Sequence, residues 1–135
     1  MIQFGCLGFI LVTSRWNQLP LIVILFLFAA GVLALLAVAA MKIGNFNIVP
    51  APVPGGKLVT RGPYRLIRHP MYSSILLTCI PLVIADFSLL RLAFLFLLAA
   101  DLVVKLYYEE RLLKIQFPGY AEYCKKSWRI FPRVW

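Results

Sequence analysis

The sequence predicts an all-α integral membrane protein with about four transmembrane helices, formed by a single domain over residues 1–135. Hydrophobic residues make up 62% of the chain and charged residues only 14%, a balance too apolar for a soluble globule. Residues 19–41 form an apolar run without a charge, long enough to cross a hydrocarbon core of about 30 Å. The Lys and Arg residues gather in two segments that alternate with apolar runs, as in membrane proteins.

The N-terminal half predicts two spans. Residues 2–16 form a short apolar segment that lacks the basic start of a secretory signal, so we expect a short or tilted first span. Residues 19–41 give the second.

The C-terminal half predicts a helical hairpin. Its first helix, residues 71–85, contains Pro81, and its second covers residues 88–108. Asp86 to Ser88 form the turn, with Ser88 as the expected N-cap of the second helix.

The orientation follows from the basic residues. They crowd a loop at 42–70 and a tail at 109–135, whereas the two opposite connections hold only Arg15 and Arg91. We therefore expect loop, tail and both termini on the cytosolic side of the membrane, here a prokaryotic cytoplasmic membrane. The formal net charge of +9 is explained in the same way, so no nucleic-acid partner is predicted.

Several site classes lack their signatures. The loop around residues 45–60 is rich in Pro and Gly but has neither the GxxxxGK[ST] nor the GxGxxG pattern of nucleotide sites. The cysteines Cys6, Cys79 and Cys124 are far apart and lack metal-ligand spacing. No metal site is predicted.

The stretch RLIRHPMYSS, residues 65–74, places a polar group at the start of an apolar helix. Pro70 suits the first turn of a helix because its φ angle is preset and it has no N–H to lose. The positive end of that helix, with Arg65 and Arg68, favours an anionic group beside His69.

Two groups of acids remain. Asp101 lies inside a predicted span with Lys105 one turn further on, and a structural ion pair and a catalytic role both stay open. Glu109 and Glu110 point about 100° apart on a helix, so we expect that they do not share one task, and a solvated surface position is favoured for such a pair.

The tail FPGYAEYCKKSWRIFPRVW, residues 117–135, mixes aromatic and basic residues. This composition is typical of an interfacial segment, but the tail could also fold back as a lid over a cytosolic site. Composition does not choose between these arrangements.

Three stretches in fixed order, KLVTRGPYRLIRHPMYSS, YYEERLLKIQF and FPGYAEYCKKSWRIFP, together resemble the isoprenylcysteine carboxyl methyltransferase family, which is related to the membrane phospholipid methyltransferases. The resemblance covers about residues 57–132. The matching positions are Leu58, Val59, Gly62, Tyr64, Arg68, His69, Pro70, Tyr72, Glu109, Glu110, Phe117, Tyr120, Tyr123 and Pro132. The chain departs from the family pattern at Ser74, where glycine is usual, and in a Phe117-to-Tyr120 spacing one residue shorter.

The resemblance implies transfer of a methyl group from S-adenosylmethionine to a lipophilic acceptor at a membrane-embedded site. It also implies roles for particular side chains. Arg68 and Glu110 would be catalytic, Arg68 by orienting an anionic acceptor and Glu110 by binding the cationic part of the cofactor. The cofactor contacts implied are His69, Pro70, Tyr72, Tyr64, Glu110 and Tyr120.

Two other functions are weighed against methyl transfer. The first is an NADPH-dependent membrane reductase of the related sterol reductase fold, whose signature has an asparagine before the tyrosine, where this chain has HPMY. The second is a non-catalytic membrane subunit, held to anionic lipid by its basic tail.

Overall fold

The computed structural model describes residues 2–41 and 58–133, and over these residues it consists of five α-helices without a β-strand. The helices are α1 (Ile2–Thr13), α2 (Leu21–Met41), α3 (Pro70–Ala85), α4 (Leu89–Gln116) and α5 (Tyr120–Lys126). Short 3₁₀ turns at Trp16–Gln18 and Gly62–Arg65 precede α2 and α3. The predicted all-α class is confirmed. Most of the predicted cytosolic loop, residues 42–57, lies outside the described residues.

Local sequence signals explain the ends of the hairpin helices. Pro70 is the first residue of α3, as expected of a residue with a preset φ angle. Ser88 caps α4, because its side chain accepts a hydrogen bond from the backbone N–H of Arg91. The predicted turn and cap are therefore confirmed. The fourth predicted span ended at residue 108, but α4 itself continues to Gln116, so this helix includes Glu109, Glu110 and the first residues of the predicted tail.

α2 is the one described helix whose length and composition suit a membrane span. Leu21, Phe28 and Leu35 repeat at intervals of seven along it, and each is 72% exposed, so one whole face is bare and apolar, as lipid contact requires. α1 and α3 are apolar but shorter, at 12 and 16 residues. The predicted number of four spans stays a prediction.

The opposite face of α2 packs on α3. It carries Ala30, Ala37 and Ala40, which are buried, and small side chains of this kind let helix backbones approach closely in a membrane. At its end, the Ala40 side chain lies 3.2 Å from the position that a Cβ on Gly62 would occupy. Gly62 has φ +58°, so glycine permits both the turn and the close approach.

The main core lies between α1, α3 and α4. Leu98, Leu102 and Leu106 are fully buried and repeat every four residues, which places them on one stripe of α4. The same stripe reaches Glu110 one turn later, and Glu110 is only 3% exposed. The apolar stripe therefore places a carboxylate inside the fold.

Candidate functional site

The start of α3 places His69 and Tyr72 side by side. His69 immediately precedes the helix, and its carbonyl accepts from the backbone N–H groups of Tyr72 and Ser73. The N–H of Tyr72, which belongs to the first turn, is thus already used within the helix. The rings of His69 and Tyr72 stack with centroids 5.4 Å apart, so both present their polar atoms to α4.

Four ionisable side chains and Tyr72 form a largely buried cluster where α3 begins. Arg68 Nε donates to Glu110 Oε1 across 2.9 Å, and His69 Nδ1 lies 3.4 Å from Glu109 Oε2. The other ring nitrogen, Nε2, lies 3.6 Å from Glu110 Oε1, an ion-pair separation too long for a hydrogen bond. Tyr72 Oη donates to Glu109 Oε1.

Glu109 and Glu110 therefore act on the same residue, and the prediction that they could not share a task is wrong. Imidazole has two nitrogens on different edges of its ring, so two side chains that diverge by about 100° from the helix can each reach one of them. The favoured surface position is wrong as well. The Glu110 side chain is 4% exposed and that of Glu109 is 24% exposed.

The cluster shifts the pKa values of two of its members, Glu110 and His69. Burial alone would raise the pKa of Glu110, but the hydrogen bonds and charges of His69 and Arg68 outweigh it and lower the pKa to about 2. Burial likewise disfavours a charged His69, yet its contacts with Glu109 and Glu110, and their charges, raise its pKa. The site thus holds an ionised Glu110 beside an imidazole whose protonated form the neighbouring carboxyl groups stabilise.

The segment after α5 closes over this cluster. We call residues 127–130 the C-terminal strap. Trp128 forms an isolated parallel bridge with Ile67: the backbone N–H of Arg68 donates to the Trp128 carbonyl at 2.7 Å, and that of Trp128 donates to the Leu66 carbonyl at 2.8 Å. The N–H of His69 donates to the Arg129 carbonyl at 3.0 Å. The tail folds back onto the site, which is one of the two arrangements that the sequence left open.

The buried side chain of Arg68 binds the end of α5 and the start of the strap. Its Nη1 atom donates to the carbonyl oxygens of Cys124 and Ser127 while Nε donates to Glu110. These bonds use the Nε and Nη1 groups of the guanidinium inside the protein. The role of Arg68 in orienting an anionic acceptor stays a prediction, and it would fall to the remaining Nη2 group.

Arg129 is a member of the site that the sequence did not single out. Its Nε atom lies 3.4 Å from Glu110 Oε2, and its guanidinium lies 5.1 Å from the centroid of the Tyr107 ring, a cation–π distance. Nothing in the basic pattern of the tail distinguishes Arg129 from its neighbours. Only the strap brings it to Glu110.

The two remaining predicted cofactor residues, Tyr64 and Tyr120, are buried beside the cluster. The Tyr64 carbonyl accepts from the Tyr123 hydroxyl, and Tyr64 packs with Ala37 and Ala40. Tyr120 is 1% exposed. Burial raises the pKa of both phenols, so they are neutral hydrogen-bond donors. The structure thus places all of the predicted residues at one end of the helices.

Two buried polar atoms of the site have no hydrogen-bond partner in the described ranges: His69 Nε2 and Tyr120 Oη. Buried polar groups are normally paired because an unmade hydrogen bond there costs about 1–3 kcal/mol. Two such atoms beside the ionised Glu110 are the arrangement expected of a site that binds a polar ligand. Within the same ranges, no group of His, Cys, Asp and Glu side chains could hold a metal ion.

Comparison with known proteins gives two matches. The model of the isoprenylcysteine carboxyl methyltransferase family matches residues 21–115. The cobalt-zinc-cadmium resistance protein CzcN of Cupriavidus metallidurans is 39% identical over 82 residues, which cover 57% of this chain and 36% of CzcN. The chain thus spans little more than a third of that relative. No solved structure matches significantly.

Proposed function

The chain belongs to the isoprenylcysteine carboxyl methyltransferase family, and we propose that it is an integral membrane methyltransferase that uses S-adenosylmethionine and methylates a lipophilic acceptor. The observation that carries the proposal is the pair of buried, unpartnered atoms, His69 Nε2 and Tyr120 Oη, beside the ionised Glu110. A membrane helix and a polar site at one end of the bundle suit a reaction between a charged cofactor and a lipid-borne acceptor.

The residues present fit the cofactor. S-adenosylmethionine carries positive charge at its sulfonium and ammonium groups, and Glu110 and Glu109 supply two carboxylates. Of the two arginines that contact Glu110, Arg129 is the more exposed, at 27%, and the more distant, at 3.4 Å. It is the partner that a ligand cation could replace at least cost, because a longer and partly solvated ion pair contributes less. Tyr120 Oη and His69 Nε2 would contact the polar groups of the cofactor.

When bound, the cofactor supplies an electrophilic methyl group. The chain's own residues would position the reactants and exclude water, effects that can contribute several kcal/mol each. The strap covers the cluster, and Arg68 fixes the strap through the carbonyls of Cys124 and Ser127. Tyr72 lies where the polar cluster meets α3, so its ring would separate the cofactor from an acceptor that approaches along the apolar helices. An acceptor that arrives as a carboxylate needs no general base.

We place this site at the cytoplasmic face of a prokaryotic membrane with both termini on that side, because the basic residues concentrate at that end of the predicted spans. The acceptor class is a prenylated cysteine carboxylate or another lipid. The name of CzcN refers to metal resistance and indicates no methyl acceptor.

Methyl transfer can be measured on the purified protein in uncharged detergent, with methyl-labelled S-adenosylmethionine and either a prenylated cysteine or a membrane lipid extract. We expect label in the organic phase, and a loss of at least a hundredfold in Glu110→Gln and His69→Gln. Glu122→Gln is the matched control, since Glu122 is an exposed glutamate that pairs with Lys125. NADPH oxidation without methyl transfer would establish the reductase instead, and the absence of saturable cofactor binding would favour the non-catalytic subunit.

A further inference from the structure

A cavity of about 330 Å³ lies between Arg68, the end of α5 and the strap. This volume is at the small end of the range of ligand pockets, which is about 300–1,000 Å³. Its charged lining residues are Arg68, Lys125, Lys126 and Arg129. None of the described residues that line it is acidic. The lining of the cavity is therefore positively charged, which suits an anionic ligand and not a cationic one.

The nearest carboxylates neutralise this charge only in part. Glu110 is shared between Arg68 and Arg129. Glu122 binds Lys125 at 2.7 Å, but both side chains are exposed, and pairs of that kind contribute little. Lys126 has no ion-pair partner within residues 2–41 and 58–133. The cavity keeps positive charge available for an anion.

The C-terminal end of α5 would ordinarily repel an anion, because its unpaired carbonyls carry the negative end of the helix dipole. Here Arg68 Nη1 donates to the carbonyls of Cys124 and Ser127, and the Ser127 hydroxyl donates to the Tyr123 carbonyl. Three carbonyl oxygens at this end of α5, those of Tyr123, Cys124 and Ser127, are therefore covered by donors.

Trp128 also lines the cavity and is 44% exposed. Exposed tryptophans next to basic residues are typical of the headgroup level of a bilayer, and basic pockets at the cytoplasmic ends of membrane helices bind anionic headgroups. The cavity shares Arg68 with the start of α3, so it lies at the polar end of an apolar helix.

We propose that this cavity binds a phosphate group and that the headgroup of an anionic phospholipid supplies it. The phosphate would link Lys125 and Lys126 of α5 to Arg68 and Arg129, and so brace the strap against the site. The proposal does not depend on methyl transfer, because its test is binding alone.

The protein in uncharged detergent is titrated with short-chain phosphatidylglycerol below its micelle concentration, and its melting temperature is followed. Short-chain phosphatidylcholine serves as the acyl-chain control and inorganic phosphate as the second arm. We expect a saturable rise in melting temperature with phosphatidylglycerol and none with phosphatidylcholine at equal concentration. An equal rise with inorganic phosphate would keep the site but overturn the lipid as its occupant.

Lys125→Gln/Lys126→Gln should weaken the apparent affinity at least tenfold. Arg111→Gln/Lys114→Gln removes the same charge from exposed positions of α4 outside the cavity and should change it less than twofold. Equal losses in both double variants would show attraction by net charge only and would overturn the proposal, as would the absence of saturation in the unmodified protein. The single variant Lys126→Gln, which breaks no ion pair, repeats the test if the double variant unfolds.

Discussion

Arg68 and Glu110 form a buried ion pair at 2.9 Å although 42 residues separate them in the chain. Both side chains are almost fully buried, at 9% and 4% exposure. The pair joins the residues before α3 to the buried stripe of α4, and the other contacts of the site are arranged around it.

Glu110→Gln should reduce both stability and cofactor binding. Removing one partner of a buried ion pair leaves the other charge uncompensated, which typically costs about 3–5 kcal/mol, and here Arg68 and His69 would both lose their anion. The free energy of unfolding by denaturant in detergent micelles measures this loss. The control Glu122→Gln breaks an exposed pair and should cost less than about 1 kcal/mol. Equal effects of the two substitutions would contradict the structural importance of Glu110.

His69 should make stability depend on pH above 6.5. Its pKa in the folded protein is raised from 6.5, so its stabilising charge is fully present below pH 6.5 and is lost as the pH rises through the folded pKa. In that window the free energy of unfolding should fall by up to about 1.4 kcal/mol per pH unit. Denaturant titrations from pH 6 to pH 9 measure the slope, which should be absent in His69→Gln.

The acid side of the pH profile should report Glu110. Its pKa is lowered from 4.5 to about 2, so the stabilisation is present above pH 4.5 and is lost as the pH falls towards 2. Glu110→Gln should flatten the profile of the free energy of unfolding in this window, whereas Glu122→Gln should leave it unchanged.

Arg68→Lys should release the strap even though the charge is kept. An ammonium cannot reproduce the guanidinium fork that reaches Glu110 and the carbonyls of Cys124 and Ser127 together. We expect at least a tenfold faster hydrogen exchange of the backbone amides of residues 68, 69 and 128, which the bridge protects. Arg65→Lys, at an exposed position, is the matched control. Unchanged exchange in Arg68→Lys would show that the backbone bridge holds the strap by itself.

Asp101 and Lys105 are predicted to act as a structural pair. Lys105 Nζ lies 3.0 Å from Asp101 Oδ2 and donates to Gln3 Oε1 at 2.8 Å, which ties α1 to α4. Asp101→Asn and Lys105→Met alone should each destabilise the protein, and the double variant should cost less than their sum by about 1–3 kcal/mol. The free energies of unfolding of the four proteins give the coupling. An additive result, or a double variant that is stable but loses methyl transfer, would favour a catalytic role.

The local parts of the fold could be predicted because neighbouring residues determine them. Pro70 starts α3 and Ser88 caps α4 as expected, since a preset φ angle and a short hydroxyl side chain act within one turn. The charges after residue 108 suggested the end of a span. They did not end the helix, because Glu, Arg, Leu and Lys are all good helix formers.

The residues of the site could be predicted, but their contacts with one another could not. Family motifs identified Arg68, His69 and Glu110, but the strap contacts them through backbone atoms of Trp128 and Arg129, and backbone hydrogen bonds leave no trace in side-chain pattern. The joint contact of the two glutamates with His69 depends on a long-range approach of α3 and α4. Helix periodicity, which describes one helix at a time, cannot show it.

The bridge between Ile67 and Trp128 joins two segments that the ribosome produces at different times. When the ribosome has completed α3 and α4, Arg68 and Glu110 can meet, but the backbone N–H groups of Arg68 and His69 still lack their strap acceptors. The site is finished only after residues 127–130 have left the ribosomal tunnel. Until then the completed helices expose a half-made polar cleft, which the strap covers once it has emerged.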